Sequence, residues 1–348
     1  MSKNILITRV SAIGDVYMAL PVAMELKKAM DCTITWLCEP YCRNLLENHP
    51  DIDRVALWER KKHSKSLSHL LKATAKVRKE LEDEYYDYVL DIHGRVKVIG
   101  LLKTLKHRKI IGYSRPENIL ELALYDEIVP VPRRTVYTDK NRLMVNAVLK
   151  DEGLDPLPDD TVTYPRVPLG EEDRAAAARL TGEGPLIGIV FAASRECKYW
   201  QDEKWRELLP WITGELGYRC ILLGGPGDYE RGEAICRGID GCVNISGKTT
   251  LREAMAVLER CDASVCVDTA MLHFSVCQEI PTVCLYGSDV HLDQHVHKDN
   301  FLVIHEPANP RKPCQKRCHC KDFRCMKNIT VDMVKSRLRE ALAMGRDR

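Results

Sequence analysis

The sequence predicts two open α/β domains joined by a short linker, and three observations predict it. Short apolar runs alternate with helical stretches through residues 3–150. Residues 154–168 hold four prolines in fifteen positions. The same alternation then restarts and continues to the last helix. Alternating strand and helix is the mark of a parallel sheet covered on both faces, and a proline cluster between two such runs reads as a linker. With 348 residues the chain is also longer than one hydrophobic core usually organises. Two open α/β halves joined this way imply a cleft between them.

In the first half, strands are expected at 3–9, 33–37, 54–58, 87–92 and 109–112. Helices are expected at 16–30, 40–48, 65–81, 97–105 and 139–150. The first helix should bury Leu20, Ala23, Met24 and Leu26 along one side. In the second half, the strands are 185–191, 219–223, 242–245, 263–267 and 281–287. The helices are 171–180, 203–215, one from about 228, 250–260, a short one carrying His273, and a final amphipathic one at 331–344.

Composition is that of a soluble globular chain, 45% hydrophobic and 29% charged. No apolar run reaches the ~18 residues of a spanning helix, and Met1-Ser2-Lys3-Asn4 leads straight into a strand. A cytoplasmic protein without a signal peptide is expected. The fifteen cysteines are dispersed, and those inside apolar strands, such as Cys220, Cys266 and Cys284, read as reduced core thiols. Residues 1–150 carry 26 Lys and Arg against 19 Asp and Glu, whereas the remainder carries 26 against 31. Arg60–Lys79 holds eight basic residues and no acidic one. A basic half suggests an anionic partner; a solvated helix face is the plainer explanation.

The stretch from Cys261 to Ser288 carries the clearest functional signal. A buried strand ends in Asp268-Thr269, a short helix follows with His273, and Pro281 opens another buried strand. Polar residues at a strand's carboxyl end and a helix's amino end form the usual ligand floor of open α/β sheets. Ser11-Ala12-Ile13-Gly14-Asp15-Val16 occupies the place of a dinucleotide glycine motif but has one glycine, which argues against NAD. Asp15 reads either as a helix cap or as a carboxylate available for general-base work. In Ala192–Trp200, Ser194 and Lys198 could meet a diphosphate, or the segment could be a solvated loop. In Gly224–Glu230, Asp228 and Glu230 could accept hydrogen bonds from ribose, or simply complement a helix dipole. Gly241–Thr249 imitates a phosphate loop with the wrong spacing and the wrong side of its strand. Asp51-Ile52-Asp53 imitates a metal-binding pair away from any strand's carboxyl end. Cys314, Cys318, Cys320 and Cys325 could hold a metal, but they lack the paired knuckles of ordinary zinc sites, and no metal is expected.

Five of these pieces in order, S-A-I-G-D-V (11–16), A-A-S-R-E-C-K-Y-W (192–200), L-G-G-P-G-D-Y-E (223–230), G-K-T-T-L (247–251) and V-D-T-A-M-L-H-F-S with P-T-V-C-L-Y-G, resemble glycosyltransferase family 9, the ADP-heptose:lipopolysaccharide heptosyltransferases. The resemblance runs from Ile5 to about Val334. It implies the GT-B arrangement, two Rossmann-like domains with a central cleft. Residues 1–153 would bind the acceptor, 154–168 link, 169–330 bind the nucleotide-sugar, and 331–348 form a C-terminal helix. It implies Asp15 as the base deprotonating the acceptor hydroxyl, Lys198 with Ser194 on the diphosphate, and Asp228 or Glu230 on the ribose. Thr249 would line the adenine pocket, and Asp268, Thr269, Ala270 and His273 would meet sugar and diphosphate. Ala270 stands where the family usually has glycine.

The implied reaction is an inverting transfer of a heptose or related sugar from an ADP-sugar to the lipopolysaccharide inner core. It would need no metal and no cofactor. The implied partner is an anionic glycolipid, not a nucleic acid. The implied location is the cytoplasm, with peripheral contact at the inner membrane. A non-catalytic nucleotide-sugar-binding protein of the same fold, a protein O-heptosyltransferase and an NAD-linked oxidoreductase are the alternatives.

Overall fold

The computed structural model describes residues 2–59, 67–114, 119–132, 135–287, 298–306 and 322–345, and the chain divides into two units, Met1–Val167 and Pro168–Arg348.

The first unit is built on strands β1 (Lys3–Thr8), β2 (Cys32–Cys38), β3 (Arg54–Leu57), β4 (Tyr85–Asp91), β5 (Lys106–Tyr113) and β6 (Glu127–Val129). They pair in the order β3-β2-β1-β4-β5-β6, parallel throughout. The central strand β1 ends in four buried residues, whereas β3 and β6 at the edges are only partly covered, as parallel sheets require. The chain runs outward from β1 to β3 and then returns to lay β4 on the other side of β1. Thr8 and Asp91 are partners in that pairing, so the segments after β1 and β4 leave the sheet side by side. That is the topological switch point, where open α/β sheets place ligands.

Helix α1 (Ile13–Ala29) begins three residues earlier than its apolar periodicity suggested, and it is buried almost all round from Val16 to Ala23. Three side chains explain the burial on the face away from the sheet. Asn141, on the helix Tyr137–Asp151, donates to Met18 O (2.6 Å). Tyr17 donates to Pro165 O (3.2 Å), and Thr163 donates to Glu25 (2.7 Å). The proline-rich segment is thus fastened to the first unit up to Arg166, whose carbonyl meets the His49 ring at 2.7 Å. The basic helix Leu67–Leu81 buries Ala73, Val77 and Leu81 and turns Lys72, Lys76, Arg78 and Lys79 outward. Strand β6 and the 3-10 stretch Ile119–Leu124 had no expectation in the sequence, because each is too short for periodicity to register.

The second unit repeats the plan with β7 (Leu186–Val190), β8 (Arg219–Leu223), β9 (Cys242–Asn244), β10 (Ala263–Val267), β11 (Thr282–Tyr286) and β12 (Phe301–His305). Their order is β12-β11-β10-β7-β8-β9, again all parallel, with the switch point between β7 and β10. Strands β7, β10 and β11 are buried at every residue, and they hold the core thiols of Cys266 and Cys284. Burial pushes the Cys266 thiol up to about 12. Strand β12, not anticipated, alternates half-buried with buried residues as an edge strand does. Trp200 and Trp205 meet edge to face at 4.8 Å in the centre of this core. The last helix, Val331–Gly345, lays Val334, Leu338 and Ala341 onto it at helical spacing.

Candidate active site

The loops that follow β10, β7, β8 and β9 leave one edge of the second sheet, from four strands that are neighbours in that order. The first two flank the switch point, and there the structure brings Lys198 and Asp268 together. Lys198, in a 3-10 turn over Glu196–Lys198, sets its ammonium 2.5 Å from the Asp268 carboxylate and 3.3 Å from the Asp268 carbonyl. Asp268 directly follows the strand, and Thr269 is the N-cap residue of the helix Ala270–Cys277, with no side-chain cap hydrogen bond of its own. Ala270 is the first residue of that helix and His273 lies one turn on; both are half-buried.

This helix is held by a buried hydroxyl triangle. Ser275 on the helix lies 2.7 Å from Ser264 on β10 and 2.8 Å from Thr282 on β11, and Ser264 donates to Thr282 at 3.1 Å. All three residues are wholly buried. The hydrogen bonds fix the helix against both strands and so fix where its amino end points.

Asp228 and Thr249 lie in the next two loops. The Asp228 carboxylate accepts the Gly225 amide at 2.8 Å, which closes the turn Pro226–Asp228 ahead of helix Tyr229–Cys236. Asp228 is the N-cap residue of that helix, and its side chain makes no cap hydrogen bond there. Glu230, in the first turn of that helix, is exposed. Gly247, with φ +71°, approaches the turn so closely that a Cβ there would lie 2.6 Å from the Pro226 Cα. Its amide donates to Gly224 O at 3.0 Å, which brings the turn before half-buried Thr249 against the one before Asp228. Ser194 is exposed on the same loop as Lys198.

At the switch point of the first unit stands Asp15. It is the third residue of α1 and not its cap; Ala12 holds the capping position. Its carboxylate pairs with the Arg9 guanidinium and accepts the Tyr137 hydroxyl at 2.7 Å. Arg9 in turn donates to Ile92 O at 2.8 Å, tying the segments after β1 and β4 together. Lys140 lies one turn beyond Tyr137, 5.1 Å from its ring centroid. Burial, with Arg9 beside it, holds the Lys140 ammonium below its ordinary range, and Asp15 opposes that shift. Behind them Asp91 is wholly buried and accepts from Thr8 (3.0 Å), the His93 and Gly94 amides (2.9 and 3.1 Å) and Tyr125 (2.9 Å). Burial nonetheless raises its carboxyl above the usual range. Sequence reasoning named Asp15 but missed Arg9, Asp91, Tyr137 and Lys140. Arg9 and Asp91, each at a strand's carboxyl end, had a positional signal; Tyr137, 122 residues from Asp15, had none.

The cysteine candidates Cys314, Cys318 and Cys320 lie outside the described residues. Cys325 is buried in the short helix Arg324–Asn328. Among the described residues no group of three or more His, Cys, Asp or Glu is placed to hold a metal ion.

The profile of glycosyltransferase family 9 (heptosyltransferase) matches residues 74–323, well over half of the chain. The chain belongs to that family. It is a glycosyltransferase with the GT-B fold, and its curated relatives are heptosyltransferases. Lipopolysaccharide heptosyltransferase 1 of Escherichia coli K12 is 25% identical over 295 residues, 82% of this chain and 88% of the relative. Lipopolysaccharide heptosyltransferase 2 of Salmonella typhimurium is 25% identical over 305 residues, 82% of each. Among solved structures, the family 9 glycosyltransferase of Veillonella parvula superposes with a TM-score of 0.78 at 20% identity, over 99% of this chain and 98% of that one. The E. coli heptosyltransferase WaaC with ADP-2-deoxy-2-fluoro heptose gives 0.74 at 21%, over 97% and 99%. These likenesses show that this family 9 glycosyltransferase shares their fold. Among its described residues no helix is long and apolar enough to cross a membrane.

Proposed function

We propose that this glycosyltransferase moves a heptose or related sugar from an ADP-sugar to the inner core of a lipopolysaccharide. The donor binds to the second unit and the acceptor to the first. The observation that carries the reading is Lys198, held 2.5 Å from Asp268 at the amino end of a helix on the switch point. A nucleoside diphosphate leaving group needs positive charge where its bond breaks, and an ammonium beside a helix amino end supplies it from fixed groups. On donor binding the diphosphate oxygens take up that ammonium. Thr269, Ala270 and His273 meet the sugar and diphosphate, Asp228 or Glu230 the ribose, Thr249 the adenine, and Ser194 assists Lys198. This donor set needs no divalent ion.

In the first unit, Asp15 accepts the proton of the acceptor hydroxyl. The oxygen attacks the anomeric carbon in line, ADP departs, and the configuration inverts. Arg9 and Tyr137 aim the carboxylate. The outward basic face of Leu67–Leu81, with Leu71 61% exposed among its lysines, suits an anionic glycolipid at the cytoplasmic membrane face. That face supports peripheral association with the membrane.

Transfer from ADP-heptose to a heptose-free lipopolysaccharide core tests the reading. Asp15→Ala should lower turnover by ~10²–10⁴-fold, the usual worth of a placed base, while ADP affinity stays as in the wild type. Full turnover in Asp15→Ala would remove the base assignment.

A further inference from the structure

We propose that Arg231 is the positioning residue for Lys198. The connection from β7 to the helix Asp202–Gly214 carries Ser194 and Lys198. Two hydrogen bonds within it, Lys198 N–H to Arg195 O (3.0 Å) and Tyr199 N–H to Glu196 O (2.8 Å), shape a turn, and the Trp200 indole beyond it donates to Ile329 O (3.0 Å). Arg231, on the helix Tyr229–Cys236, grips the connection at both ends. Nη1 donates to Phe191 O (3.3 Å), where the chain leaves the sheet. Nη2 donates to Trp200 O (3.2 Å), and Nε and Nη2 donate to Asp202 Oδ1 (2.8 and 2.5 Å), where it re-enters a helix. The guanidinium lies 4.1 Å from the centroid of the Tyr199 ring and 5.3 Å from that of Phe191.

Tyr199 directly follows Lys198. With both ends of the loop and the neighbouring ring held by one planar group, the lysine backbone has little room to move. A lysine in place of Arg231 has the charge but neither the fork nor the stacking face. Arg231 also sits three residues after Asp228 and next to Glu230. The helix that carries Glu230 and begins directly after Asp228 therefore holds the diphosphate loop as well, and it joins the two halves of the donor site. Arg231 acts through Lys198, so the proposal rests on the reading of Lys198 as the diphosphate's countercharge.

ADP and adenosine binding to the full chain, measured by calorimetry across a double-mutant cycle, is the test. Arg231→Ala should weaken ADP roughly tenfold, within the coupling range of residues in one network, and leave adenosine unaffected. Arg231→Lys should behave like Arg231→Ala, and Lys198→Ala should lose at least as much. The double variant should bind ADP no more weakly than Lys198→Ala alone. Additive losses, or an equal loss for adenosine, would overturn the proposal while leaving the role of Lys198 standing. Unchanged ADP affinity in Lys198→Ala would overturn the reading of Lys198 and this proposal together. If Arg231→Ala does not fold, Asp202→Asn, which removes the carboxylate anchor and keeps the guanidinium, enters the same cycle under the same criteria.

Discussion

Asp15 owes its orientation to two residues, Arg9 and Tyr137, that reach it from the end of β1 and from a helix far along the chain. Removing one donor from a carboxylate forfeits a charged hydrogen bond, worth ~1.5–3 kcal/mol where it is fully formed. Tyr137→Phe should therefore reduce turnover by roughly tenfold or more without altering ADP affinity, since the proposed donor loops belong to the other unit. Steady-state kinetics beside ADP calorimetry would check it; unchanged turnover would show that Arg9 alone suffices. Gly112 makes the same point about neighbours. A methyl there would overlap the Tyr125 ring, whose hydroxyl serves Asp91. Gly112→Ala should cost ~1–3 kcal/mol, as overpacking of a filled core does, and chemical denaturation would measure it. Neither residue's importance is visible along the sequence, because each depends on a partner brought in by the sheet.

Elements were far more legible than contacts. Continuous apolar runs bounded by Gly, Pro and polar residues gave β7, β10 and β11 nearly to the residue, because central parallel strands are buried on both faces. The start of α1 was misplaced because Ile13, Gly14 and Asp15 carry no apolar periodicity. That helix nonetheless begins there, and Asp15 falls inside its first turn. Lys198 and Asp268 could each be singled out as polar residues at strand ends. Their pairing across 70 residues needed the β7-β10 adjacency that only the topology supplies. The helix Leu251–Glu259 does show its start in the sequence. Thr250 accepts the Glu253 amide at 3.2 Å and Glu253 accepts the Thr250 amide at 2.7 Å, a reciprocal cap. Thr250→Ala should destabilise the second unit by ~1 kcal/mol, read as a shift in its denaturation midpoint; Thr250→Gly should lose less.

Across the whole molecule, acid acts through carboxylates that the fold holds below their usual range, and the first unit carries several of them. In the first unit burial works against the Asp53 carboxylate, but the Ile34 amide and Lys27 outweigh it and hold Asp53 below the usual range. The Ile110 amide and Lys103 do the same for Asp126. Lys109 and Tyr88 lower Asp151. A carboxylate whose folded value lies below its unfolded one stabilises the fold above the unfolded value and loses that contribution as pH falls. The loss should therefore set in from roughly pH 4 downward. Asp91, raised by burial, titrates in the opposite sense and offsets part of it. Thermal melts followed by circular dichroism should show the first unit's transition falling on acidification. Lys27→Met should flatten that fall, and a transition indifferent to pH would contradict it.

In the reaction proposed, the second unit binds the donor and the first supplies the base, a division of labour that ligand placement can decide. A crystal of the protein soaked with ADP, beside one soaked with NAD, is the test. ADP should appear on the second unit, with its diphosphate at Lys198 and the amino end of helix Ala270–Cys277, its ribose near Asp228 or Glu230, and no NAD bound to the first unit. ADP or NAD seated at the end of β1 beside Asp15, with Lys198 still paired to Asp268, would contradict it.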